Sequence, residues 1–260
     1  MAIIFCGKKE SKEFVLKEAN IKVYTLQELA YFIYNYSMLI SNSFISKNLI
    51  NHIDKEWGYH ELATSLNIMF NKKENIANML KLILSMSDYY TDNEIAEYNN
   101  NLMDLLNLDE VSFINLSGDK LFKLKKYEKA LAQYEKNIKK SDYALNMIGC
   151  CYAKLQVYDK AIEHFNQLLE KTGDTKYLKN LFYCYKLSGN KNEFDEKYEK
   201  MINQDEEADW EITIVTMLLK ANESDKVKEI DEIFLMGDNY IKANMISLIN
   251  TWKEQYRYIG

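Results

Sequence analysis

Asn115 and Asn146 stand 31 residues apart, and so do Lys123 and Lys154. An asparagine side chain carries a donor and an acceptor, so it can hold the N–H and the C=O of an extended peptide together. A row of ammonium groups draws in an acidic segment or a terminal carboxylate. Residue types that recur at one interval form parallel rows when successive copies of a unit stack, which suits capture rather than catalysis.

The other chemistry-bearing residues form no catalytic pattern. His52, His60 and His164 fall on helical stretches with no nucleophile or carboxylate at diagnostic spacing, and there is no Gly-rich phosphate loop, H-E-x-x-H or G-x-S-x-G. Cys6, Cys150, Cys151 and Cys184 lack C-x-x-C spacing and read as reduced core thiols. A zinc site from Cys150, Cys151, Cys184 and His164 is the competing reading, but Cys151 and Cys184 occupy positions where a small apolar residue is ordinary packing. The expectation is a non-enzyme with no cofactor and no metal.

Composition narrows the partners. Net charge is -6, and Arg257 is the only arginine beside many lysines, so no bidentate fork is available for phosphate or for guanine edges. That argues against nucleic acid. Residues 111–205 carry 17 lysines against 13 acidic residues, a local balance of +4 inside an acidic chain. No apolar run approaches the roughly 18 residues of a membrane span, and the Met1–Cys6 run is too short for a secretory signal, so the chain is expected in the cytoplasm and off the membrane. The absence of proline and the abundance of Lys, Asn, Ile and Tyr look like the codon bias of an AT-rich bacterial genome.

Elements must position these rows, and the same interval names them. Gly118 and Gly149, Tyr127 and Tyr158, Ala130 and Ala161, and Tyr134 and Phe165 are also 31 residues apart, in sequence that is helix-compatible throughout. Numbered so that the glycine is position 8, one unit begins at Val111 and the next at Asp142. Gly118 and Gly149 at 8, Leu121 and Tyr152 at 11, Ala130 and Ala161 at 20, and Tyr134 and Phe165 at 24 resemble the tetratricopeptide repeat. Small residues at 8 and 20 let two antiparallel helices approach, and the large groups fill the space between units. A third unit near Thr175 carries Phe182 and Phe194 where small residues stand in the others, which is expected to splay its helices.

The resemblance implies an α-solenoid of antiparallel helix pairs whose first helices line a concave groove. The inward positions would then be filled by Asn115, Asp119, Lys123, Asn146, Cys150, Lys154, Lys176, Lys179, Tyr183 and Lys186. The carboxylate-clamp subset of the family wants lysine and asparagine where Asn115 and Asp119 stand, so a chaperone-tail clamp is not implied. The chain as a whole also resembles proteins of low-GC bacteria that join a helical front domain to such repeats.

The fold class expected is mainly all-α, with two domains. Residues 1–108 form a helical front domain with short strands near 2–24: Ala2–Cys6, then partners in Phe14–Leu16 and Ile21–Tyr24. Thr25-x-x-Glu28 and Thr91-x-x-Glu94 are capping boxes that open helices. Residues 109–260 hold the repeats, closed by capping helices with a wet outer face.

The expected function is a non-catalytic adaptor or scaffold that binds a protein or peptide partner, acidic by the lysine row, in the groove. The alternative is a peptide-sensing transcriptional regulator with an amino-terminal helical DNA-binding domain. Thr25–Ala30 resembles the start of the second helix in helix-turn-helix repressors, but the chain continues as Tyr31-Phe32-Ile33-Tyr34-Asn35-Tyr36 where a polar recognition helix would stand.

Overall fold

The computed structural model describes residues 12–236 and 238–259. The strand expected at Ala2–Cys6 lies outside the described residues. Among the described residues the chain is mainly helical with one small antiparallel β flap, and it divides into two compact units, residues 1–126 and 127–260.

In the first unit, β1 (Phe14–Leu16) pairs with β2 (Ile21–Val23), Phe14 opposite Val23. Six helices follow: α1 (Leu26–Asn35), α2 (Lys47–Lys55), α3 (His60–Asn71), α4 (Ile76–Met86), α5 (Asp92–Leu106) and α6 (Glu110–Lys123). Thr25 and Thr91 cap α1 and α5 at the places their sequence motifs mark. Thr91 accepts the Glu94 N–H at 3.4 Å while the Glu94 carboxylate accepts the Thr91 N–H at 2.8 Å. At α1 the reciprocal bond slides back one residue: Glu28 accepts the Tyr24 N–H at 2.6 Å. Leu26, Leu29, Ile33, Leu49, Ile53, Leu66 and Ile83 are fully buried.

The tyrosine-rich stretch on α1 is covered from two sides. Tyr34 stacks on Tyr90 with ring centroids 4.2 Å apart and on Tyr98 at 5.7 Å. Tyr36 stacks on Phe32 at 5.4 Å, and the Lys120 ammonium of α6 lies 5.9 Å from the Tyr36 ring centre. Thus α6, which the repeat spacing joins to the following helices, packs within the first unit, and the division between compact units falls after Lys126.

The second unit holds α7 (Tyr127–Tyr134), α8 (Asp142–Lys154), α9 (Tyr158–Thr172), α10 (Leu178–Ser188), α11 (Lys191–Tyr198), α12 (Gln204–Asn222), α13 (Asp225–Leu235) and α14 (Asp238–Ile259). Neighbours in sequence pack on one another from α7 to α11, and α12 packs back on α10. One core runs through Ala161, Phe165, Leu181, Phe182, Tyr185, Phe194 and Trp210.

One turn recurs in both units. Lys125, Gln156 and Gly189 end α6, α8 and α10 in the left-handed region, at φ 60°, 61° and 87°. After each, the next N–H reaches back five residues at 2.9 Å: Lys126 to the Leu121 carbonyl, Val157 to Tyr152, and Asn190 to Tyr185. These bonds satisfy carbonyls that a helix end would leave open. The third, degenerate repeat copy therefore keeps the turn of the other two. An L-residue pays about 1 kcal/mol for this conformation and glycine does not. Gln156→Gly should therefore raise stability by roughly 0.5 kcal/mol once the looser unfolded chain is set against the relief. Urea unfolding checks it, and a loss of stability would contradict the left-handed turn.

Candidate functional site

Close approach of α8 and α9 comes first, because it sets which face of α8 is left outward. A Cβ placed on Gly149 would lie 2.7 Å from the Phe165 ring, so no side chain larger than hydrogen fits there as the helices stand. With Ile148 and Gly149 turned inward, Asn146, Cys150 and Lys154 follow one another at four-residue spacing along the other stripe. On α10, Leu181, Phe182, Cys184 and Tyr185 are buried, while Lys179, Tyr183 and Lys186 follow along its open side.

The two stripes meet at one amide pair. The Asn180 side-chain N–H donates to the Asn146 carbonyl oxygen at 3.4 Å. That bond uses neither the Asn146 amide nitrogen nor the Asn180 oxygen, so a donor and an acceptor remain at the contact. Lys154 is exposed. The Lys179 ammonium lies 5.8 Å from the centre of the Tyr183 ring, whose hydroxyl is buried with no partner among the described residues. Tyr183 is half-buried and packs against the core of the second unit. Lys176 is 64% exposed and pairs with Asp174 at 2.6 Å, which holds its ammonium above the usual lysine range.

Lys186 has a different setting. It pairs with Glu211 of α12 at 3.3 Å, and Glu211 also meets Lys191, which bonds Glu207 at 2.8 Å and Asp195 at 3.3 Å. Hydrogen bonding from Lys186 is the largest influence holding the Glu211 carboxyl low. Lys186 thus belongs to a polar clamp that joins α10, α11 and α12. In the first unit, Asn115, Asp119 and Lys123 all lie on α6; Lys123 is exposed, and Asn115 and Asp119 are half-buried with interactions of their own.

Two residues of this surface escaped the sequence reading. Asn180 sits one place beyond an inward position of the repeat, and Glu211 lies on α12, beyond the three repeat copies. The signal for the second was present: Asn203 caps α12 by accepting the Asp205 N–H, and Asp205, Glu206 and Glu207 follow in the first turn, where acidic groups suit the helix dipole.

No protein-family model matches the chain, and neither does any curated protein or solved structure.

The thiols and histidines have structural settings. Burial pushes the Cys150 thiol up to about 11, against the opposing pull of Lys154, and Cys151 and Cys184 up to about 12. At neutral pH these sulfurs are protonated and poor nucleophiles. His164 stacks on Tyr152 at 5.5 Å with rings 4° from parallel, and burial lowers its basicity. His52 packs between Phe14 and Trp57, with Nε2 3.0 Å from the Lys12 carbonyl. Among the described residues, no three His, Cys, Asp or Glu side chains converge as metal ligands would, and no helix is long and apolar enough to cross a membrane.

Proposed function

We propose that the chain is a non-catalytic adaptor of tetratricopeptide type, working in the cytoplasm, which takes an extended acidic segment of a partner protein along α8 and α10. The observation that supports this reading is the Asn146–Asn180 amide pair, which leaves one donor and one acceptor together and has Lys154 and Lys179 along the same two stripes. An extended peptide presents alternating C=O and N–H groups to such a pair, and acidic side chains flanking them reach the two ammonium groups.

The test uses short fluorescein-labelled peptides, one rich in Asp and Glu and one of equal length rich in Ser and Gln, with anisotropy as the readout. The acidic peptide should bind more tightly at low salt, and Lys154→Glu with Lys179→Glu should weaken it at least about tenfold, roughly 1.4 kcal/mol. Lys200→Glu with Lys228→Glu makes the same change of net charge elsewhere in the unit and should leave binding within a factor of about two. Equal loss in both double variants, or equal binding of both peptides, would sink the assignment. Lys186 is left out because its replacement would break the pairing with Glu211.

A further inference from the structure

The outer face of α12 has the pattern of a helix-pair seam. Trp210 and Ile214 bury the inner face in the core of the second unit. On the opposite side Ala208, Ile212, Val215 and Leu219 follow at intervals of four, three and four, the spacing of a coiled-coil stripe. Ile212 is 63% exposed, Val215 55% and Leu219 59%, and Leu218 beside them is 52% exposed. The helices after the third repeat were expected to turn a wet face outward, and α12 instead turns out an apolar one. A helix that is apolar on two faces is one that is covered on two faces.

The stripe itself indicates what covers it. Its spacing is symmetric about the point midway between Ile212 and Val215. When a second α12 runs antiparallel across it, Ile212 of each copy lies opposite Val215 of the other, and Ala208 lies opposite Leu219, small against large. Charge agrees with that direction. The acidic groups Asp205, Glu206 and Asp209 stand at the start of α12, and Lys220 stands in its last turn. Glu207 is already engaged by Lys191. Antiparallel pairing sets Lys220 of one copy beside Asp205 and Asp209 of the other, on the same flank of the seam, and opposes the helix dipoles favourably. Parallel pairing would set acid against acid.

We propose that this chain forms a two-fold symmetric dimer through antiparallel pairing of α12 with α12 of a second copy. The contact is isologous, so it closes at two copies. It uses a face of the second unit distinct from the α8–α10 surface and does not depend on the peptide-binding reading.

Sedimentation velocity of the full chain, over a series rising to high micromolar concentration, tests it. The chain should run at twice the monomer mass. Val215→Glu should run as a monomer with unchanged helical circular dichroism, since the position is exposed in the folded chain. Lys220→Glu should raise the dissociation constant at least about tenfold, and Asp209→Lys added to it should restore dimerisation, which only the antiparallel arrangement explains. A wild-type chain that stays monomeric throughout the series, which would give the stripe to a different protein, overturns the proposal. So does a Val215→Glu chain that remains dimeric, or a charge swap that restores nothing.

Discussion

Replacing Gly149 by leucine should unfold the second unit, and replacing it by alanine should destabilise it by about 1 to 3 kcal/mol. The cause is local and steric. The added Cβ would stand 2.7 Å and 2.8 Å from two carbons of the Phe165 ring, and that residue is 1% exposed within the core. Ordinarily alanine in a helix gains about 1 kcal/mol over glycine. A net loss here therefore measures the overlap against a known opposing preference. Leucine adds three more carbons to the same place, and its cost consumes much of the roughly 5 to 15 kcal/mol that holds a domain together.

Urea denaturation followed by circular dichroism reads both variants. Phe165→Leu in the Gly149→Ala background should recover part of the loss, because the smaller side chain vacates the contested space, whereas Phe165→Leu alone costs stability. The two changes are in contact and must couple. Strict additivity in that cycle would show that the approach of α8 to α9 is looser than the structure has it.

That contact explains which parts of the molecule could be read from the chain. Gly149, Ala161 and Phe165 are a small residue, a small residue and a ring whose spacing carries their geometry, so α8 and α9 were legible. Capping at Thr25 and Thr91 was legible for a similar reason: the bonds lie within four residues of each other and need no distant partner. The left-handed turn residues were not legible, because Lys125 and Gln156 have no bias toward positive φ and only Gly189 advertises it. Nor was the setting of Lys186. Its partner Glu211 belongs to α12, and that pairing exists only because Trp210 anchors α12 on α10. Asn180 joins Asn146 through the lateral spacing of two helices, 34 residues apart in sequence, which no interval within one helix encodes.

Phe182→Gly should be the most costly of the changes that restore a repeat's usual residue, at about 4 to 6 kcal/mol. Spacing alone suggests the opposite. Position 8 of the other two units is glycine, and a phenylalanine in that place reads as a defect that forces two helices apart. In the structure the ring is the centre of the third unit's core. It is fully buried, with ring centroids 5.4 Å from Phe194 at a steep angle and 5.5 Å from Trp210, and the Lys191 ammonium stands 5.8 Å from its centre. Phe194 and Phe182 are thus a matched pair: where two small residues let backbones meet, two rings fill the gap and meet edge to face.

Deleting a buried ring costs about 3 to 5 kcal/mol in transfer and cavity terms, and glycine in mid-helix adds about 1 kcal/mol. Trp210 loses its contact in the same step, so α12 should loosen from α10 before the rest of the unit. Amide exchange in α12 should rise more than in α8, where the Gly149–Phe165 contact is intact. If Phe182→Gly left urea stability unchanged, the third unit would have closed on the geometry of the first two. The ring would then be an accommodation that the fold tolerates and not the group around which α10, α11 and α12 assemble.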